Sequence, residues 1–267
     1  WVGANSYRTS HYPYSEEAMR MADREGILIV DEIPAVGLFF GDDEEGIQAR
    51  LSQCKQQIQE LIARDKNHPS VIMWSVANEP HTIQGNPLRS GGKPEPDPRA
   101  KVFFAELFDR VRALDPTRLA TLVSMVGAAD VSLEFADVVF VNRYNGWYTQ
   151  SGRIALGIEA LEQELDMIHQ TFNKPIVISE FGTDTVAGMH SDPPEMFTEE
   201  YQVAFLRHYL DMAARKPYIV GLHVWNFADF KTSQGVIRVG GLNLKGVFTR
   251  DRRPKMAAHF LRERWAE

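Results

Sequence analysis

Cysteine is almost absent: Cys54 stands alone in 267 residues. An intrachain disulfide and a thiolate metal site are therefore excluded. No apolar run reaches the ~18 residues needed to span a bilayer, and neither a secretory leader nor an Asn-x-Ser/Thr sequon occurs. The chain opens on Trp1 rather than methionine. Its compartment is therefore left open, with the lack of sequons and disulfides leaning towards a cytoplasmic setting. Positive charge is in deficit, 29 Lys+Arg against 36 Asp+Glu for a net charge of −7, which argues against nucleic acid as a partner. The eight histidines form no His-x-His or HExxH spacing, so no metal site is expected. GxSxG, P-loop and GxGxxG patterns are missing as well, and no cofactor is implied.

What is present is a core. Hydrophobic residues make up 44% of the chain, and its length suits one domain, since barrels of about 250 residues form one domain. Strand-like and helix-like stretches alternate throughout, the pattern of an α/β fold with a parallel sheet. The strand candidates are residues 3–10, 27–34, 71–77, 119–126, 137–144, 175–180 and 219–227. Apolar residues at helical spacing mark Ile47, Leu51, Cys54, Ile58 and Leu61, then Ile158, Leu161, Leu165, Ile168 and Phe172. Asp97-Pro98 reads as a cap followed by proline at the first helical position. The Gly- and Pro-rich stretch 81–98 reads as a loop. No internal repeat is visible.

Two glutamates end apolar runs and precede turn residues. Glu79 closes VIMWSVANEP and Glu180 closes PIVISEFG. A carboxylate just past a buried strand is how a barrel presents an acid to a cleft. Two of them can serve as proton donor and nucleophile on one acetal bond. One strand-end glutamate alone is more often a salt-bridged structural residue; two of them, together with the NEP tripeptide, point to catalysis.

The segments WVGANSYRTSHYPYSEEAM, IARDKNHPSVIMWSVANEP, NRYNGWY, ISEFGTDTVAG, VWNFADF and GVFTRDRRPK resemble, in order, the catalytic domain of glycoside hydrolase family 2, in its β-glucuronidase subgroup. The resemblance covers nearly the whole chain. It implies a (β/α)8 TIM barrel and a retaining exo-β-glucuronidase using double displacement, with Glu79 as acid/base and Glu180 as nucleophile. Glu79 then has to carry a proton as it meets the leaving oxygen, while Glu180 stays ionised among donors. Arg8 and Tyr144 resemble the pair that positions the nucleophile, and Asn78 the residue that binds the sugar 2-hydroxyl. Asn243 and Lys245 of GGLNLKG match an Asn-x-Lys motif that binds the C6 carboxylate of glucuronic acid, and Arg238 is a second cation for it. The loop ahead of Asn243 is one residue longer than the family pattern, which bears on the reach of Lys245. Trp225 resembles the platform under the sugar ring. Tyr148 lines the cleft with Tyr144, with Asn145 where a second tyrosine is common, and His11 of SHYP matches a substrate contact. Asp31-Glu32 reads as a structural brace.

The expected partners are glucuronide small molecules or glycans, with no nucleic acid and no membrane, and a homo-oligomer is expected of the full-length form. Three alternatives stay open: a β-galacturonidase, a β-galactosidase, or an inactive barrel fragment. Seven strands are visible where the barrel needs eight, and the motif order makes SYRTSHYP the second. Residues 1–267 are thus expected to form one catalytic barrel domain lacking its first strand and helix, with β-sandwich domains upstream in the full-length protein.

Overall fold

The computed structural model describes residues 1–84 and 95–266. Its Cα packing separates two compact units, one of residues 5–141 and 167–177, the other of residues 1–4, 142–166 and 178–267.

The first unit begins with β1 (Ser6–Arg8), α1 (Glu16–Glu25), β2 (Leu28–Glu32), α2 (Glu44–Asp65) and β3 (Val71–Asn78). It continues through β4 (Ile83–Gln84), β5 (Glu95–Pro96), α3 (Pro98–Leu114), β6 (Leu119–Ser124) and β7 (Val139–Asn142), whose last residue passes into the second unit. Strands β1, β2, β3, β6 and β7 lie side by side in that order, each parallel to the next. Ser6 pairs with Leu28, Glu32 with Ser75, Trp74 with Ala120, and Val123 with Phe140. Parallel strands are covered on both faces, so they read as near-continuous apolar runs; seven of the eight residues of β3 are buried. Val30, Met73, Val123, Val138, Phe140 and Val177 meet in one cluster between these strands.

The helices of this unit are set by their ends. Ser15 accepts from the Ala18 N–H to start α1, and Gly26, at φ 71°, closes it in the left-handed region. The Asp97 carboxylate accepts from the Arg99 N–H at 2.9 Å and Pro98 opens α3. Along α2 the buried residues include Ile47, Leu51, Cys54, Ile58 and Leu61, the stripe read from the sequence. Burial pushes the Cys54 thiol up to about 11, which leaves it un-ionised and unreactive at neutral pH.

The second unit holds most of α4 (Ile154–Phe172) and the outer residues of β8 (Ile176–Phe181), with α5 (Glu199–Ala214), β9 (Ile219–Val224), β10 (Phe230–Lys231), β11 (Leu242–Asn243) and α6 (Met256–Trp265). Strand β9 follows β8, and the Trp225 N–H donates to the Phe181 carbonyl at 2.9 Å. Tyr209 of α5 stacks on Phe181 and Phe205 with ring centroids 5.0 and 4.4 Å apart, and its hydroxyl donates to the Asn145 carbonyl. Strands β10 and β11 form a small antiparallel ladder, Phe230 opposite Asn243.

Each of the seven strands expected from the sequence is present; five lie inside their segments with shorter ends, as with Ser6–Arg8 inside 3–10, while β3 and β8 each run one residue past theirs, to Asn78 and Phe181. One expectation is corrected. The stretch 81–98 is not loop throughout, because Ile83 pairs with Pro96 and Gln84 with Glu95 in an antiparallel ladder, and Pro98 already belongs to α3. Backbone pairing overrides the low strand propensity of Gln, Glu and Pro there. Residues 85–94 of that stretch lie outside the described residues. Among the described residues no helix is long and apolar enough to cross a membrane.

Asp31, at the end of β2, is completely buried and its Oδ1 accepts from Thr9 Oγ1 at 2.9 Å. Burial, and then the neighbouring carboxylate of Asp65, push its pKa up to about 8. Asp65 is held from its other side by a two-pronged contact with Arg64 at 2.8 and 2.6 Å. An unfolded aspartate titrates near ~4. The folded chain therefore holds a proton on Asp31 that the unfolded chain sheds, and stability falls as pH rises through the window from roughly 4 to 8. Urea midpoints measured across that window should fall with pH in the wild type. They should fall less in Asp31→Asn, whose amide mimics the protonated acid. A second expectation concerns the cap of α3. Asp97→Ala removes the acceptor for the Arg99 N–H and should cost about 1 kcal/mol by chemical denaturation.

Candidate active site

In the first unit the C-terminal ends of β1, β2 and β3 converge on Glu32. This carboxylate is fully buried. It accepts from Arg8 Nη1 at 2.7 and 2.8 Å and from Ser75 Oγ at 2.7 Å, and His11 Nδ1 lies 3.1 Å from Oε1. Register makes this possible, since Glu32 sits opposite Ser75 in the β2–β3 ladder. Burial alone raises the pKa of such an acid, but the Arg8 guanidinium and the His11 ring beside it bring Glu32 below the ordinary glutamate value. Arg8 Nη1 also reaches Asn78 Oδ1 at 3.5 Å, so the last residue of β3 joins the network.

Glu79 follows directly. Its N–H donates to the Val123 carbonyl at 2.8 Å, continuing the ladder towards β6. Its φ of 49° lies in the left-handed region, a conformation uncommon for a residue with a Cβ and enriched at active sites. The side chain is half-buried. The strand thus ends in an abrupt change of backbone direction on the candidate acid itself.

In the second unit Glu180 is buried at the end of β8, and its Oε2 accepts from the Tyr144 hydroxyl at 2.7 Å. The Arg143 N–H donates to the Glu180 carbonyl at 2.8 Å, and Ser179 Oγ donates to Asn142 Oδ1 at 2.9 Å. The end of β7 therefore fixes the end of β8. Gly182 is required two residues later because a Cβ there would lie 2.0 Å from the Trp225 carbonyl oxygen.

A cationic pocket adjoins this carboxylate. The Lys245 side chain is 1% exposed; its ammonium pairs with Asp184 Oδ2 and donates to the Tyr148 hydroxyl at 2.9 Å. The ammonium also lies 4.8, 5.6 and 5.8 Å from the ring centroids of Tyr148, Trp147 and Tyr144. Arg238 stands 3.6 Å from Asp184 Oδ2 and 3.4 Å from the Tyr148 hydroxyl. Asn243 is buried and its Oδ1 accepts from the Lys245 N–H at 3.2 Å, a turn that aims the lysine. The extra residue ahead of Asn243 does not stop Lys245 from reaching Tyr148. Trp225 is half-buried, with its ring edge-on to Phe230 at 6.1 Å.

The candidates read from the sequence thus fall into two groups. Asn78 and His11 gather around Arg8 and Glu32 in one unit, with Glu79 next in the chain after Asn78, while Tyr144, Tyr148, Glu180, Arg238, Asn243 and Lys245 gather in the other. Trp225 is linked to the latter group through Phe230, whose β-ladder partner is Asn243. The structure adds two residues. Asp184 had no signal beyond following SEFG by two positions, and Trp147 reads as one more core aromatic. Among the described residues no group of three or more His, Cys, Asp or Glu side chains could hold a metal ion.

Comparison with known proteins adds the lineage. Residues 1–267 match the family model described as glycosyl hydrolases family 2, TIM barrel domain. The chain is 45% identical over 276 residues to a β-glucuronidase of Paenibacillus borealis, covering 100% of this chain and 44% of that protein. The solved β-D-glucuronidase of Dictyoglomus thermophilum superposes with a TM-score of 0.90 at 46% identity, covering 100% of this chain and 45% of that one. The β-glucuronidase of Bifidobacterium dentium complexed with coumarin-3-O-glucuronide gives 0.91 at 42% identity, covering 100% and 42%. The chain spans less than half the length of the relatives it matches. Its parallel strands, the helices between them and the match along its whole length have one explanation: the chain belongs to glycosyl hydrolase family 2, as its TIM barrel domain.

Proposed function

We propose that this domain carries the catalytic residues of a retaining exo-β-glucuronidase, which releases glucuronic acid from the non-reducing end of a glycoside or conjugate. One observation carries the reading. Tyr144 donates to the Glu180 carboxylate at 2.7 Å, and the same ring lies 5.8 Å from the Lys245 ammonium. A nucleophile and a cation for an acidic sugar thus share one aromatic side chain as their common wall. Relatives named as β-glucuronidases, one of them solved with a glucuronide, support the same substrate class.

In this mechanism Glu180 attacks the anomeric carbon while Glu79 donates a proton to the leaving oxygen, forming a covalent glycosyl-enzyme. Water, deprotonated by Glu79, then attacks the same carbon, so two inversions retain the configuration. Tyr144 supplies a hydrogen bond to the nucleophile and withdraws it as negative charge leaves Glu180. Asn78 is the donor for the 2-hydroxyl, a contact that strengthens in the transition state. Lys245, Asn243 and Arg238 bind the C6 carboxylate, with charge-assisted hydrogen bonds as the favourable contacts. His11 and Tyr148 contact the sugar and Trp225 forms its platform.

The two carboxylates are separable by experiment. Glu79→Ala should retain activity on activated aryl glucuronides, whose leaving oxygen needs little protonation. Glu180→Ala should be inactive on every substrate unless azide replaces the nucleophile. NMR of the azide products should give opposite anomeric configurations for the two variants. Equal losses on all leaving groups, with no response to azide, would refute these roles.

The sugar is tested at Lys245. Lys245→Ala should lower kcat/KM on an aryl glucuronide far more than on the matching glucoside. A charge-assisted contact of about 1.5–3 kcal/mol corresponds to roughly ten- to a hundred-fold. Assays of the wild type on glucuronide, galacturonide and galactoside in parallel decide among the three sugars. Equal losses on glucuronide and glucoside would make Lys245 structural and remove the main support for a uronide.

A further inference from the structure

Asp184 stands where an acidic sugar would meet a competitor. Its Oδ2 pairs with the Lys245 ammonium and lies 3.6 Å from Arg238. Its Oδ1 accepts from the Leu244 N–H at 2.9 Å, and the Thr185 N–H donates to the Leu244 carbonyl at 2.9 Å. Leu244 is the residue between Asn243 and Lys245. One carboxylate therefore grips this loop twice, at its backbone and at the tip of its lysine. Asp184 itself is buried, 3% exposed.

From this geometry we infer that Asp184 is a positioning residue for specificity: it holds Lys245 in place and sets the charge of the pocket to suit one sugar carboxylate. The inference rests on the proposed uronide reading and deepens it. Lysine has a long, flexible arm, and an ammonium free to change rotamer has to be ordered again at each binding event. Asp184, with Tyr148 as the second acceptor, holds it in advance. Charge gives the same answer. Lys245 and Arg238 contribute two positive charges and Asp184 one negative, so the cluster carries a surplus of one. A monoanionic sugar neutralises that surplus, whereas a neutral sugar buries the cluster with its charge uncompensated.

The test uses Asp184→Asn in the complete protein, which keeps an oxygen for the Leu244 N–H but turns an amide donor towards Lys245. KM for an aryl glucuronide should rise about tenfold or more, the range of one charge-assisted contact. Its kcat should move less, and the matching glucoside should change by less than about threefold, as expected when a ground-state binding contact to the acid is lost. Asp184→Asn introduced into a Lys245→Gln background should add little, because both substitutions act through one contact. Asp184→Glu, which restores the charge, should recover part of the glucuronide preference, and it carries the same readout if the amide variant fails to fold. Equal losses on both sugars, a lowered KM for the glucuronide, a full Asp184→Asn effect without Lys245, or an unchanged preference in Asp184→Glu when only that variant folds would each overturn the inference. The wild-type preference scores the proposed function separately. A wild type preferring a galacturonide defeats the glucuronide assignment, and Asp184 is then scored on galacturonide against galactoside. A wild type with no preference for any uronide overturns both.

Discussion

Carboxylates buried at the C-terminal ends of parallel strands set the terms for the rest of this structure. Asp31, Glu32 and Glu180 are all buried at or beyond such ends, as is Asp184 a few residues further on. A buried charge without partners costs several kcal/mol, so each of these positions dictates what surrounds it. Three solutions are visible. Glu32 is met by a guanidinium and a hydroxyl, Asp31 holds its proton beside Asp65, and Glu180 takes a tyrosine hydroxyl. Much of the sequence near the strand ends is explained by these requirements.

The same constraint accounts for the coupling between neighbouring strands. Arg8, Glu32, Ser75 and Asn78 come from three successive strands, and their network works only in the observed register, with Glu32 opposite Ser75. A shift of one residue would turn Glu32 to the other face of the sheet. Polar pairing at the strand ends and the apolar cluster of Val30, Met73, Val123 and Phe140 deeper between the strands thus specify one alignment together.

The pocket around Lys245 follows a different logic. Lys245 is buried against three aromatic rings and one carboxylate, and the residues involved come from three stretches, 144–148, 184 and 238–245. Aromatic faces favour a cation through their quadrupole, and Asp184 supplies one negative charge beside Lys245. Close backbone approaches serve the same end. Gly182 lets the backbone pass the Trp225 carbonyl, and Gly246 lets the loop after Lys245 pass Asp229, whose backbone nitrogen would lie 2.1 Å from any Cβ there.

The sequence by itself determined the element order, the seven strands, the helical stripes, the Asp97-Pro98 start of α3 and the candidate residues. Apolar periodicity and capping act over a few residues, so they can be read locally. The family resemblance was likewise carried by contiguous motifs such as ANEP, SEFG and NLK. Tertiary structure alone decided who partners whom. Glu32 read as a brace, and only register across three strands makes it the hub that orders Arg8, His11 and Asn78. The short ladder of β4 and β5 was hidden in a stretch whose composition signals loop, because its strands exist through pairing rather than propensity. Asp184 was silent because nothing in its neighbours announces a lysine sixty-one positions away. A buried charge is defined by what surrounds it in space, and that information is spread along the chain rather than written beside the residue.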